Sequence, residues 1–502
     1  MFEALWHSLP DILSVSSLLA VAVGVVAGIF LGALPGLSAT LGISVLLPFT
    51  FGMSPQVALG MMAGIYNGSM YGGAIPAILL RIPGTPAAVA TTFDGYPMAQ
   101  QGHANKALRV ALVSSAIGGL ASGLALMLLA PPLGSVTLMF GPTEIFWVSV
   151  FGILSIALLI KGNAVKGLIS AGIGIFVATV GIDPVSANER FTFGSLYLDD
   201  GISVIVLLIG LYAMPPVIDT LVNPQSGEES HAKEVGDEGF FKSLVSMLGY
   251  WKTWLRASLI GIAVGILPGA GGSFGTFISY NEAKRSARNS EEWGKGEPEG
   301  VAAAETCNNA DTAASMIPAL TLGIPGTSVA AVMLGGFLIH GLQPGPNLFR
   351  EHPDEVFGFM WQFLIASVML LFLGGSVATR LFSKVLYLPR PLLGSIILSL
   401  MVVGAYSIHE TLFDVFLMFG FGVFGYVLEK LKFPMAPIVL GVILGGFMEY
   451  NFRISMLMSG NDPAVLWSSA PSIVLIAMIV MLIVLTCFKQ RLSSLIGKRL
   501  TN

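Results

Sequence analysis

IPAILLRIPGTPA, residues 75–87, returns 242 residues later as IPALTLGIPGTSV, residues 317–329. Pro76, Pro83, Gly84 and Thr85 fall on Pro318, Pro325, Gly326 and Thr327 at one offset, and Asn67 falls on Asn309 in the same register. A second pair lies upstream: GIFLGALPGLSATLG at 28–42 matches GIAVGILPGAGGSFG at 261–275, at an offset of 233. The difference of 9 residues is one insertion within the second copy. Two Pro-Gly breaks per half, set in apolar sequence, are the pattern of a transporter built from duplicated halves with interrupted helices.

The surrounding sequence has the composition that this pattern needs. The chain is 54% hydrophobic and 11% charged, against roughly 25% charged in soluble domains. No Asp, Glu, Lys or Arg occurs across residues 12–80, a run of 69. Further uncharged runs cover 110–143, 257–281, 312–349, 356–379, 391–409 and 463–488. A bilayer span takes about 20 apolar residues. The expected fold is therefore an all-α polytopic membrane protein of about 10–12 transmembrane helices, with re-entrant or interrupted helices in two repeats.

Charge sets the expected orientation. The segment MFEALWHSLPDILSV has no Lys or Arg and is expected to lack the basic n-region of a cleavable signal peptide. Lys489, Arg491, Lys498 and Arg499, without an acid near them, predict a cytoplasmic C-terminus, an outside N-terminus and an odd number of crossings. Cys307 and Cys487 form no framework. A net charge of −4 and the lack of a basic patch give no sign of nucleic-acid binding.

The chain divides into a first membrane half, 1–222, with its repeat core at about 14–110, and a second half, 253–502, with its core at about 247–355. A polar linker, 223–252, joins them. Equivalent loops carry opposite charge. The first copy has no basic residue at 52–55, where the second has Lys284, Arg285, Arg288 and Lys295. After the PGT element the first copy has Lys106 and Arg109, while the second has Arg350 beside Glu351, Asp354 and Glu355. Such a reversal argues for inverted repeats.

The breaks carry the chemistry. Proline removes a backbone donor and glycine admits conformations closed to other residues, so each break frees N–H and C=O groups. In lipid these groups must face protein or a watery cavity. Helix N-termini after a break attract anions, and broken-end carbonyls attract cations. Gly84, Thr85, Gly326 and Thr327 are the expected carboxylate-binding residues, with Ser38, Thr40 and Ser273 adding hydroxyls near the LPG elements. A packed kink is the competing reading of one break; four at duplicated positions favour a site.

Asn67 and Asn309 are the expected cation ligands, since a buried amide is costly unless bonded and both copies keep it. Asp311 in CNNAD is either a third ligand, or proton carrier, or a cap on the next helix. Asp94 in TTFDGYP reads as a turn. The ladders Gly24, Gly28, Gly32, Gly36 and Gly261, Gly265, Gly269 read as helix-packing faces. GAGGSFG lacks the spacing of a dinucleotide fingerprint, no P-loop or HExxH is present, and Ser69 lacks the glycine of a nucleophile elbow. An enzyme is not expected, and no cofactor beyond a coupling Na+ or H+.

The stretches GALPGLSATLGISVLLPFTF, YNGSMYGGAIPAILLRIPGTPAAVATTFDGYPMAQQG, GILPGAGGSFGTFISY and ETCNNADTAASMIPALTLGIPGTSVAAVMLGGFLIHGLQPGP closely resemble the large membrane subunit of the tripartite tricarboxylate transporter family (TctA-type). The resemblance covers nearly the whole chain. It implies ion-gradient-driven uptake of citrate-like tri- and dicarboxylates across the bacterial inner membrane, commonly with sodium. It also implies two partners, a small membrane subunit and a periplasmic solute-binding protein. An elevator-type motion is the expectation by analogy with other carriers of two re-entrant hairpins. A channel or scaffold subunit without coupled transport is the alternative class.

Overall fold

Glycine spacing decides how the first two long helices meet. Val15–Ala33 and Pro55–Gly72 each carry glycine at every fourth residue on facing sides. In the computed structural model, a Cβ at Gly24, Gly28 or Gly32 would sit 2.2–2.4 Å from the carbonyl oxygens of Met61, Ile65 and Ser69. Gly64, Gly68 and Gly72 meet the carbonyls of Val21, Val25 and Ile29 in return. Lipid offers no hydrophobic drive between helices, so this backbone-to-backbone contact rests on dispersion and weak Cα–H···O bonds. The second copy keeps one side of the pattern. Gly261 and Gly265 of Trp251–Ile266 face Pro298–Ala314, where Ala310 and Ala314 stand in for Gly68 and Gly72.

The structure describes residues 2–34, 37–137, 140–159, 164–183, 185–222, 247–267, 271–287, 289–345, 347–375 and 390–500. Pro35, Gly36, residues 268–270, Arg288 and most of the expected linker lie outside the described residues. The chain is 80% helical. Among the described residues the strands amount to one antiparallel pair, Gly181–Ile182 with Glu189–Arg190.

The duplicated PGT elements fold alike. Ala74–Leu80 and Met316–Leu322 are each a 7-residue helix, ended by a left-handed residue, Arg81 at φ 59° and Gly323 at φ 71°. The chain then doubles back. The Gly84 amide donates to the Gly73 carbonyl at 3.1 Å, and Gly326 donates to Ser315 at 3.3 Å. Ile82 donates to Pro76 and Ile324 to Pro318, again at matched positions. The groups freed by the prolines thus bond within each hairpin. Each hairpin is pressed against the end of its LPG helix, because a Cβ on Gly84 would lie 2.1 Å from the Gly32 carbonyl and one on Gly326 2.2 Å from that of Gly265.

The copies are interlocked. Ala104–Thr137, which follows the first unit, packs on the second unit's Pro298–Ala314, with Gly118 against the Thr306 carbonyl. Pro353–Leu373, which follows the second unit, packs on Pro55–Gly72, and Gln362 Nε2 donates to the Gln56 carbonyl at 2.7 Å.

Five helices are long and apolar enough to cross a bilayer: Val15–Ala33, Ala104–Ser135, Pro353–Leu373, Leu412–Lys430 and Ala436–Met458. Seven shorter apolar helices of 10–17 residues accompany them among the described residues. Their outer faces are apolar too: Val15, Leu19 and Val23 on the first, Phe416, Val423 and Val427 on another, Ile473, Val480 and Val484 near the C-terminus are exposed. Such contiguous exposed hydrophobic surface suits lipid. The chain is an all-α, multi-pass membrane protein.

Two stability predictions follow from the hairpins. Gly84→Ala and Gly326→Ala should each cost about 1–3 kcal/mol through collision with a helix carbonyl. Arg81→Gly should stabilise by roughly 1–2 kcal/mol by relieving a left-handed non-glycine residue, whereas Gly323→Arg should destabilise. Thermal unfolding of the detergent-solubilised chain reads all four, and melting temperatures that do not change would contradict the close contacts and the strain.

Candidate functional site

Three segment starts converge on one space. Ser38 precedes Ala39–Leu46, Thr85 precedes the short turn Pro86–Val89, and Thr327 precedes Ser328–Ile339. All three residues are extended, with φ between −123° and −136°. Ser38 and Thr327 cap their helices, accepting from the amides of Leu41 at 3.3 Å and Ala330 at 3.1 Å. Ser38, Thr85 and Thr327 line one cavity of about 760 Å³, together with Thr40, Gly326, Asp311, Tyr66, Asn308 and Tyr212. A cavity of this size is in the range of small-molecule sites. It therefore joins Ala39–Leu46, the helix that follows the LPG break of the first copy, to the PGT elements of both.

The internal repeat makes the cavity's asymmetry readable. At the hairpin of the second copy three hydroxyls satisfy one another, one of them from the first copy. Tyr66 Oη lies 3.0 Å from Thr327 Oγ1 and 3.3 Å from Ser315 Oγ, and Thr327 Oγ1 lies 3.4 Å from Ser315 Oγ. Shifting each residue by the repeat offset of 242 gives Asn308, Thr85 and Gly73. Glycine replaces the serine, and asparagine, shorter than tyrosine, replaces the phenol. Asn308 Nδ2 donates to the Met70 carbonyl at 3.2 Å. Thr85 Oγ1 and Asn308 Oδ1 are buried and have no hydrogen-bond partner among the described residues. An unmade buried hydrogen bond costs about 1–3 kcal/mol. A ligand hydroxyl or carboxyl-bound cation placed there would recover that cost.

Among the described residues the lining holds the carboxyl side chains Asp311 and Glu429 and no Lys, Arg or His. Asp311 is 3% exposed, and its oxygen would be 2.8 Å from a Cβ on Gly265. Its repeat counterpart is Ser69, so the carboxylate is a feature of one copy. Positive potential comes instead from the backbone, at the first turns of Ala39–Leu46 and Ser328–Ile339.

The expected residues are only partly brought together. Ser38, Thr40, Thr85, Gly326, Thr327 and Asp311 share the cavity wall. Gly84 sits behind it, packed on Gly32. Ser273 lies at the start of Gly271–Ser286, and its side chain is outside the described ones. Asn67 and Asn309 meet each other rather than the cavity. Asn309 Nδ2 donates to the Asn67 carbonyl at 3.3 Å, and Thr312 Oγ1 donates to Asn67 Oδ1 at 3.5 Å. Asn309 Oδ1 is buried without a partner among the described residues. The two copies of the conserved amide position thus touch where Pro55–Gly72 crosses Pro298–Ala314.

Sequence reasoning missed Tyr66, Asn308 and Glu305. The first two could have been found by carrying the 242 offset through every residue of YNGS rather than Asn67 alone. Glu305 is fully buried, and its carboxylate accepts from the hydroxyls of Thr91 and Ser115, the latter at 3.1 Å. The signal was an acid among alanines in VAAAETCNNAD, one turn before Asn309 and on a helix with no exposed face. An ionisable group inside a membrane helix bundle is a functional candidate by default.

The sequence profile of the Tripartite tricarboxylate transporter TctA family matches residues 18–440. An uncharacterized 52.8 kDa protein in the TAR-I ttuC' 3' region of Agrobacterium vitis is 35% identical over 446 residues, 88% of each chain. An uncharacterized protein in the TAR-II ttuC' 3' region of the same organism is 36% identical over 205 residues, 41% of this chain and 84% of the relative. No solved structure matches the chain significantly. The matched region holds both hairpins, the shared cavity and the interlocked helices, and a profile match over more than four-fifths of the sequence decides the assignment: the chain belongs to the tripartite tricarboxylate transporter TctA family.

Proposed function

We propose that this chain is the large permease subunit of a binding-protein-dependent tripartite system, a secondary transporter that imports citrate-like tri- or dicarboxylates on an ion gradient. The observation that carries the reading is a cavity walled by breaks from both repeats, with helix N-termini and hydroxyls but, among the described residues, no cationic side chain. Backbone dipoles and hydroxyls bind an anion reversibly, without the permanent buried charge that would hold it too tightly. An ionised Asp311 on the same wall would repel a bare carboxylate, so anion and cation entering together would be favoured over the anion alone. That requirement is coupling expressed as electrostatics, and Na+ or H+ would serve.

On this reading Thr85, Thr327, Ser38, Thr40 and Gly326 receive the carboxylate, with Gly84 and Ser273 supporting them. Asn67, Asn309 and Asp311 serve the cation, the two amides from behind the cavity wall. The two halves, 1–222 and 253–502, are inverted repeats joined by the 223–252 linker, with the C-terminus in the cytoplasm and the whole in the inner membrane. A small membrane subunit completes the membrane complex, and a periplasmic binding protein delivers the substrate. The matching hydrogen bonds of the two hairpins support the duplication; the opposed loop charges support the inversion.

Uptake of labelled citrate and a carboxylate panel into cells making the complete system tests the reading. Saturable uptake that needs both the ion gradient and the binding protein is expected, whereas non-saturating flux down the gradient would mark a channel, and no flux a scaffold. Thr85→Val should raise the half-saturating substrate concentration about tenfold, the worth of one hydrogen bond of roughly 1.4 kcal/mol. Asn309→Leu should abolish uptake while the protein still inserts; full uptake by that variant would remove the amide from the cation path.

A further inference from the structure

A second concave space lies beside the first, and its chemistry is opposite. It measures about 520 Å³ and is lined by Arg81 and Lys284 together with Thr92, Gln100 and the aromatic rings of Phe93, Tyr96, Tyr280 and Trp293. Among the described residues no carboxylate side chain lines it. Among the described residues neither cation has an ion-pair partner; the nearby Glu282 is taken by Arg285 at 3.0 Å. The Arg81 guanidinium lies 5.7 Å from the centre of the Tyr96 ring.

Asp94 lies close behind this wall, and its oxygens are occupied. It is fully buried and accepts from Tyr280 Oη at 2.7 Å and from the amides of Gly294, Gly296 and Glu297 at 2.8–3.0 Å. Those four bonds pin the 289–297 loop and the Tyr280 ring against Thr92–Gln100. The pocket wall is therefore set in advance, and the two cations face an open space rather than Asp94.

The Arg81 backbone adds an independent sign. It is left-handed at φ 59°, at a position where the other copy has Gly323 at φ 71°. Glycine is the low-strain residue there. Keeping arginine in a strained conformation, with its side chain in a pocket, is what a binding role leaves behind.

The two spaces share a wall. Val89 faces the larger cavity and Thr92 and Phe93 the smaller, while Phe277 faces the larger and Tyr280 the smaller. The Phe93 ring touches both Phe277, at 5.9 Å between centres, and Tyr280, at 5.3 Å. We propose that the Arg81–Lys284 pocket is a second anion site, an antechamber that holds a small polycarboxylate at one mouth of the central cavity. Unpaired cations in a walled concavity raise local anion concentration. Among the described residues the central cavity has no cationic side chain to do so. The identity of the anion rests on the carboxylate-carrier reading; the existence of the site does not.

Trp293, 5% exposed and on the pocket wall, supplies the readout. The full-length chain in phosphatidylcholine nanodiscs is titrated with citrate while tryptophan fluorescence is followed, with Trp293→Phe defining the signal from this residue. Arg81→Gly and Lys284→Gln are each expected to raise the half-saturating citrate concentration at least about tenfold, the low end of what focused charge contributes, whereas Thr85→Val should leave it unchanged. Arg81→Gly installs the residue the other copy already tolerates, so loss of folding does not confuse the result. A titration identical in wild type and both cation variants overturns the proposal, as does a signal lost only with Thr85→Val. If phosphatidylglycerol added to the nanodiscs abolishes the citrate response, a lipid phosphate is the occupant and the polycarboxylate assignment fails. A flat titration with citrate uptake intact removes the antechamber and spares the carrier. A cation-dependent titration without uptake of any carboxylate keeps the antechamber and removes the carrier.

Discussion

The Gly32 carbonyl against Gly84, and the Gly265 carbonyl against Gly326, are the contacts on which the rest of this architecture depends. Each holds the end of a long helix against the reversal of a hairpin at a distance only a hydrogen side chain permits. The glycine faces of Val15–Ala33 and Pro55–Gly72 bring the partners that close along their whole length. Without that proximity the LPG and PGT elements would stand apart, with proline-freed backbone groups left to lipid, which cannot bond them. Because they touch, the breaks bond internally, and helix starts from both copies open into a single cavity.

Duplication supplies the frame and divergence supplies the site. Hairpin hydrogen bonds are matched residue for residue, yet the cavity's chemistry lies where the copies differ. Tyr66 closes on Thr327, while Asn308 leaves Thr85 open. Asp311 stands where the first copy has Ser69, and Arg81 where the second has Gly323. A strictly symmetric pair would present the same groups to both sides of the ligand. The observed pair offers a self-satisfied hydroxyl cluster on one side and, among the described residues, an unpartnered hydroxyl and amide oxygen on the other.

Much of this was legible in the sequence, and for identifiable reasons. Class and helical character follow from the 69-residue uncharged run, because lipid permits few alternatives. The repeats follow from two motifs at fixed offsets, and six of the expected site residues do line one cavity, since Pro-Gly breaks need such a place. What was not legible depended on direction. Asn67 and Asn309 read as exposed to a ligand, but helix phase turns them toward each other at a crossing that no one-dimensional pattern encodes. Glu305 was invisible because an acid among alanines gives no periodic signal; its partners Thr91 and Ser115 are some 190–214 residues away. Gly84 carried two roles in one motif, and packing took precedence.

The crossed packing of the two units has a consequence for how the protein is made. Ser115 and Thr91 meet Glu305, and the long Ala104–Thr137 helix finds its main neighbour in Pro298–Ala314. All of the first group leave the ribosome well before the second. The early half therefore enters the bilayer with polar side chains and a glycine-notched face that have no protein neighbour yet. It must be sheltered, by water-filled insertion machinery or by a provisional self-packing, until about two hundred more residues have been synthesised. The contacts between the halves can close only once both have been made, whereas Val15–Ala33 and Pro55–Gly72 find each other within the first.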